Sequence, residues 1–386
     1  MVFRRVPLAW RNLTYDKTRL ALSTSGVTFA VLLMLMQLGF RNALLDSQVE
    51  LLRQLNCDLV LISPTKYRLY TKAPFPRRRL LQALAHDAIT DAYPLYMEPL
   101  AASWRNPLDG ETHPIRVLAF DPDEPVFLNP DIDRRREDLK MPDTVLLDER
   151  SKSILGPAKT GMESELASRN VRVVGTFRLG TDFAVDGNVV TSDRTFLALS
   201  KGGQASAPKL NRVEIGLLKV ESGREPAAVR RSLRQQLPGD VKVLTKPELI
   251  RLERSYWLAY SPVGVIFNLA VGVSFVIGVV VSYQILFTSI SDHLPQFATL
   301  RAIGHTNGRL VGVALRQAFY LALFGFVPGA LVGNILYFAI AEFSGLKMQM
   351  TAHLLILVLI LTISMCMLPG LLAARRAMTA DPAEVY

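Results

Sequence analysis

The chain has 386 residues, of which half are hydrophobic and a fifth charged, with a formal net charge of +10, a pI near 9.7 and a mean hydropathy of +0.24. A soluble protein rarely combines these values, so membrane spans are the first thing to look for. The positive charge is shared along the chain rather than gathered in one patch, which argues against nucleic acid as a partner.

Residues 1–19 form a basic amphipathic lead-in, where Arg4, Arg5, Arg11, Lys17 and Arg19 stand against Asp16 alone. Four uncharged runs follow: Leu20–Phe40 (21 residues), Ser255–Ser291 (37), Gln317–Ala341 (25) and Met348–Ala374 (27). A hydrocarbon core about 30 Å thick takes about 20 helical residues, so each run crosses once. The second, about 55 Å long as a single helix, is expected to project from the membrane. Lys and Arg near spans favour the cytoplasmic side, which puts both termini in the cytoplasm. The expected spans are 20–40, 255–291, 317–341 and 352–374. Residues 292–316 and the tail 375–386 are then cytoplasmic, 342–351 is a short outer loop, and 41–254 is an extracytoplasmic domain. Arg301, Arg309, Arg316, Arg375 and Arg376 all fall on the inner side. No convincing small-x-small cleavage site follows the first run, so it reads as a span and not as a cleavable signal.

The inserted domain reads as α+β. Strands are expected at 57–63, 114–119, 143–148, 171–177, 212–220 and 240–245, each bounded by Pro, Gly, Asn or Asp, with a helix at 225–237 among them. The expected fold class is therefore an α-helical membrane protein with four transmembrane helices and a large α+β extracytoplasmic domain between the first and second. Past the first span, Leu44, Leu45, Val49, Leu52 and Leu55 recur at helical spacing, so the helix should run on with one apolar face. Before the second span, Thr245 and Glu248 have capping-box spacing, and Leu249, Ile250 and Leu252 follow. Two amphipathic extensions at the same two crossings suggest a paired helical stalk. The plainer alternative is that each helix packs on the outer domain.

Catalytic signals are weak. Ser63-Pro64-Thr65-Lys66 fits Ser-x-x-Lys and Lys159-Thr160-Gly161 spells Lys-Thr-Gly, but Ser192-Asp193 is followed by Arg194, and the order is reversed from that of penicillin-binding enzymes. The "SPTK" stretch reads instead as a strand leaving into a turn. His86, His113, His293, His305 and His353 show no paired ligand spacing, and Cys57 and Cys366 belong to different parts of the chain, so neither a metal site nor a disulfide is expected. No phosphate loop of the Walker type occurs, so the chain is not expected to bind ATP itself. Gly325, Gly329 and Gly333 make two overlapping G-x-x-x-G patterns and predict close helix packing on that face.

The segment "ATLRAIGHTNGRL" (298–310) interrupts the apolar C-terminal half with basic, helix-compatible sequence. Phe297, Leu300 and Ile303 recur at helical spacing beside Arg301 and Ala302, and Gly304 suits a helix C-cap. Such a segment can be pushed by a partner, whereas a plain turn could only join two helices; a helix resting on lipid headgroups would use similar residues.

One span, a large outer domain and three further spans resemble the arrangement of FtsX-like and MacB-type ABC transporter permeases. "LAWRNLTYDKTRLALSTSGVTFAV" resembles the family's lead-in to the first span, "FATLRAIGHTNGRL" its Leu-Arg-Ala-Ile-Gly segment, and "AARRAMTADPAEVY" its Arg-rich exit ending in Asp-Pro-x-Glu. The region "YWLAYSPVGVIFNLAVGVSFVIGVVVSYQILFTSISDHLPQFATLRAIG", with "VVGTFRLGTDFAVDGNVVTSDRTFL", is similar to the DevC group. Pro295 and Gln296 depart from it where an acidic residue is usual. The resemblance implies a non-catalytic permease that works as a homodimer with a separate ABC ATPase subunit, which holds the ATP and Mg. It also implies a periplasmic membrane-fusion adaptor, an outer-membrane channel reached through it, and a lipophilic substrate such as glycolipid taken from membrane lipid. In that frame Phe297 to Gly304 couple to the ATPase. The implied alternatives are an FtsX-type signalling protein that activates a cell-wall hydrolase, and lipoprotein extraction.

Overall fold

The computed structural model describes residues 17–182, 185–199, 210–292, 299, 303, 306–344 and 348–379. Helix α1 (Lys17–Gln54) is followed by β1 (Leu59–Ile62), β2 (Phe75–Pro76), α2 (Arg78–Leu84), β3 (Ile89–Arg105), β4 (Thr112–Phe120) and α3 (Pro130–Arg134). Next come β5 (Thr144–Asp148), β6 (Glu163–Leu166), β7 (Arg169–Phe177), β8 (Asn188–Ser192), α4 (Asp193–Leu199), β9 (Arg212–Val213) and β10 (Ile215–Val220). The last elements are α5 (Pro226–Gln236), β11 (Lys242–Thr245), α6 (Lys246–Ala259), α7 (Pro262–Asp292), α8 (Asn307–Ser344) and α9 (Ala352–Thr379). Two compact units divide the chain: Met1–Ala43 with Pro262–Tyr386, and Leu44–Ser261.

Among the described residues four helices are long and apolar enough to cross a membrane: Leu20–Gln54, Pro262–Asp292, Val311–Ala341 and Ala352–Ala374. The run Ser255–Ser291 is not one helix, contrary to the sequence expectation. Helix α6 stops at Ala259, the Ser261 N–H bonds back to the Tyr256 carbonyl, and α7 starts afresh at Pro262. Proline lacks the N–H that would continue the ladder and its ring collides with the carbonyl four residues earlier, so a helix can begin there but not pass through. At the other end of the basic segment, α8 already begins at Asn307, so residues 307–316 belong to the helix that carries the third span.

The 44–261 unit is built on a nine-stranded sheet of order β11-β1-β10-β3-β4-β8-β5-β7-β6. Strand β3 serves both halves of that sheet. Its first part pairs with β10 as far as Leu95, its second part pairs with β4 from Tyr96 onward, and the register slips between Glu98 and Ala102. Both faces are covered, as the uninterrupted apolar run of β1 requires. Leu59 and Leu61 enter a core with Leu80 and Ala83 of α2 and Val229 and Leu233 of α5. Val60 and Ile62, on the opposite face by the two-residue period, enter a second core with Leu51 and Leu52 of α1, Leu55 just past its end, and Leu249 of α6.

Candidate coupling and transmission site

Of the sequence-predicted coupling residues, Phe297, Leu300, Arg301, Ala302 and Gly304 lie outside the described residues. Ile303 is described: its N–H donates to the Thr299 carbonyl at 3.1 Å, the i to i−4 spacing of one α-turn, and its side chain is 73 % exposed.

Gly325, Gly329 and Gly333 of α8 face Val27, Val31 and Leu35 of α1 in step, one turn per pair, so the two helices run parallel. A Cβ at Gly329 would stand 2.8 Å from Val31 Cγ1 and 3.1 Å from the Thr28 carbonyl oxygen, and one at Gly325 would overlap Val27 outright. Only glycine lets the backbones approach this closely. Two hydrogen bonds use the proximity: Thr28 Oγ1 donates to the Gly325 carbonyl at 3.2 Å, and Tyr337 Oη to the Leu35 carbonyl at 2.5 Å. Between α1 and α7, Arg41 Nη1 donates to Asn268 Oδ1 at 2.9 Å. These bonds are favourable where few competing partners exist.

The stalk residues come together within the 44–261 unit. Arg254 Nη2 meets Asp46 Oδ1 at 3.2 Å, while Lys246 Nζ donates to the carbonyls of Arg53 at 2.8 Å and Leu55 at 2.6 Å. Asp46 thus lies level with Arg254 and Leu55 with Lys246, so the end of α1 and all of α6 run antiparallel. Leu44, Leu45, Val49, Leu52, Leu55 and Leu249 are buried, and Ile250 and Leu252 are half-buried against the same core as β1. Pairing and packing on the domain are therefore both present, through the same apolar ridges. Helix α6 starts on a complete capping box: the Thr245 side chain accepts from the Glu248 N–H at 3.3 Å and the Glu248 carboxylate from the Thr245 N–H at 2.8 Å.

Sequence reasoning missed the polar cluster behind this helix pair. A strap joining β1 to β2, residues 63–74, crosses both helices: Tyr70 Oη donates to Gln48 Oε1 of α1, and the Leu69 N–H donates to Glu253 Oε2 of α6 at 2.7 Å. Arg68 Nη1 adds a bond to Tyr256 Oη at 2.9 Å. The strap is tied to the sheet by the buried pair Lys66 and Glu214 at 2.7 Å, and beside it Arg116 of β4 pairs with Asp182 at 2.5 Å. Burial draws the Lys66 ammonium below its ordinary range although Glu214 opposes the shift. Burial, then the Asp182 carboxylate, hold Tyr70 as a neutral phenol. Lys66 was visible in the sequence only as the end of Ser-x-x-Lys. Its ammonium is committed to Glu214 and, at 2.7 Å, to the Thr71 carbonyl, while Ser63 Oγ bonds Thr65 Oγ1 at 2.9 Å. That is the chemistry of a strap anchor. Among the described residues no group of three or more His, Cys, Asp or Glu is placed to hold a metal ion, and Cys57 and Cys366 are buried free thiols.

No curated protein matches the chain. Two solved structures are similar at low identity. The periplasmic region of MacB from Actinobacillus actinomycetemcomitans is 11 % identical, with 51 % of this chain and 92 % of that one covered at a TM-score of 0.35. The extracellular domain of the noncanonic ABC-type transporter YknZ from Gram-positive bacteria is 10 % identical, with 49 % and 98 % covered at a TM-score of 0.30. Residues 268–382, which hold most of α7, the basic segment, α8 and α9, match the FtsX-like permease C-terminal family. With four apolar helices among the described residues and an α+β domain between the first and second, the chain is a multi-pass membrane protein whose C-terminal part is similar to the FtsX-like permease C-terminal family.

Proposed function

We propose that the chain is the permease subunit of an ABC exporter of the DevC kind, sitting in the inner membrane with both termini in the cytoplasm. The observation that carries this reading is the family match over residues 268–382, which includes the basic segment between the second and third spans. In this reading the chain is no enzyme: a separate ATPase subunit binds ATP and Mg, and two permease copies pair in the membrane. ATP-driven closure of the ATPase pair pushes the ridge of Phe297, Leu300 and Ile303, flanked by Arg301, Ala302 and Gly304. Helix α1, which is continuous from Lys17 to Gln54, passes that motion to the antiparallel pair it forms with α6. The 44–261 unit then works with a periplasmic adaptor, and through it an outer-membrane channel, to expel a lipophilic substrate drawn from membrane lipid, of which glycolipid is one class.

The test is purification of the assembly from membranes, with wild type, Leu300→Asp and Arg309→Gln compared. A buried leucine is worth about 1.5 to 3 kcal/mol and an exposed ion pair below about 1 kcal/mol. Leu300→Asp is therefore expected to release the ATPase and stop export at normal protein abundance, and Arg309→Gln to change little. Recovery of a cell-wall hydrolase in place of an adaptor and channel would replace export by signalling. A Leu300→Asp protein that still binds its ATPase would refute the coupling ridge.

A further inference from the structure

Five charged side chains are buried together where the strap meets the α1/α6 pair. Lys66, Glu214 and Glu253 are at most 4 % exposed as residues and Arg116 only 1 %, while the Asp182 side chain is 3 % exposed. Three are acids and two are bases. Each base is committed elsewhere: Lys66 lies on Glu214 and Arg116 on Asp182, with Arg116 Nη1 also reaching Asn188 Oδ1 at 3.3 Å. Glu253 is left with neutral donors, the Leu69 N–H at 2.7 Å and Trp257 Nε1 at 3.0 Å. From the strap, Tyr70 is bonded to Gln48, and Arg68 at the half-exposed rim is bonded to Tyr256. From the sheet side, Asp148 lies beyond Asn188, whose Nδ2 donates to Asp148 Oδ2 at 2.8 Å. Glu253 thus has no cation among these hydrogen-bond partners, and such a carboxylate in a low-dielectric site is relieved most cheaply by taking up a proton.

We propose that Glu253 is a proton-binding site that latches the strap to the α1/α6 helix pair, so that acidity of the medium around this unit tightens the clamp and neutral to alkaline conditions loosen it. The inference concerns the 44–261 unit alone and does not depend on the transport reading. The sign follows from linkage. Burial, the largest cause, raises the Glu253 carboxyl from 4.5 to about 7, and Asp182 adds to it. A carboxyl whose pKa is higher in the clamped state than in the open, hydrated one binds more protons when clamped. The clamp is then firmest below about pH 4.5, weakens as pH rises through the interval to about 7, and changes no further above it. The full span corresponds to a change of about 300-fold in the opening equilibrium, since each pKa unit is tenfold.

Hydrogen exchange on the full chain in lipid nanodiscs tests this, read on the strap peptide that carries the Leu69 amide and corrected for the intrinsic pH dependence of exchange. Wild type is expected to lose protection as pH is raised from about 5 to about 7, by up to tenfold per unit. Glu253→Gln, which keeps an acceptor but carries no titrating proton, is expected to be protected and flat with pH. Asp182→Asn removes the neighbouring negative charge and frees Arg116, so the wild-type curve should move to lower pH with its shape kept. This second variant keeps the test decisive if the first folds poorly. A wild-type protection profile that is flat over this range, or an Asp182→Asn midpoint that does not move, overturns the latch. Loss of activity in either variant would say nothing about it, so the readouts for the latch and for export are separable.

Discussion

Replacing Gly329 by alanine probes the α1/α8 contact with the smallest possible perturbation. The added methyl would sit 2.8 Å from Val31 Cγ1, 3.0 Å from Val31 Cβ and 3.1 Å from the Thr28 carbonyl oxygen. Carbon atoms settle at about 3.5 to 4.0 Å, so the nearest contact is roughly 0.7 Å short. Val31 is branched at the atom in the way, and Thr28 opposes with backbone, so neither can swing aside and the helices must separate. Overpacking of this kind costs about 1 to 3 kcal/mol, against which alanine recovers up to about 1 kcal/mol of helix propensity. The expected net loss is up to about 2 kcal/mol. Gly272→Ala is the matched control, since a Cβ there meets nothing within 4 Å. Unfolding free energies in bicelles compare the two, with Val31→Ala added to Gly329→Ala as the double-mutant arm, which should recover most of the loss. If Gly329→Ala and Gly272→Ala are indistinguishable, close approach at this face is not what holds the helices together.

Two further perturbations bear on the 44–261 unit. Lys66→Met strands Glu214, whose side chain is 5 % exposed, and breaking a buried pair from one side costs about 3 to 5 kcal/mol; thermal unfolding should show it, and adding Glu214→Leu should recover most of the loss. Thr245→Ala removes one half of the capping box of α6, for an expected loss of about 0.5 to 2 kcal/mol, with hydrogen exchange rising first in the opening turn of that helix.

How much of this was legible in the sequence depends on the range of each signal. The apolar runs at 20–40 and 317–341 were legible because a span is a property of composition alone. The capping box was legible because its two partners are three residues apart. Strands with a clean apolar run, such as β5 and β7, could be read in place. Strand β3 could not, although at 17 residues it is the longest in the sheet. Pro94 and Pro99 fall inside it, and proline within a run argues against a strand when only local pattern is available. The sheet accommodates them by changing β3 from one partner to another near Tyr96 and slipping register between Glu98 and Ala102. The break between α6 and α7 was hidden for the opposite reason: the uncharged run continues straight through Tyr260, Ser261 and Pro262, and only the backbone chemistry of proline interrupts the helix.

The strap cluster lay out of reach because its partners are far apart in the chain: 148 positions separate Lys66 from Glu214, 184 separate Leu69 from Glu253, and 66 separate Arg116 from Asp182. No periodicity links such residues, and each taken singly looks like an ordinary charged surface position. Their burial has a physical implication. Apolar side chains of similar volume would hold the strap at least as firmly, because desolvating ions offsets most of what their attraction returns. Apolar packing, however, tolerates sliding, whereas a bond from Leu69 to Glu253 on one helix and from Tyr70 to Gln48 on the other is satisfied at a single register of the pair.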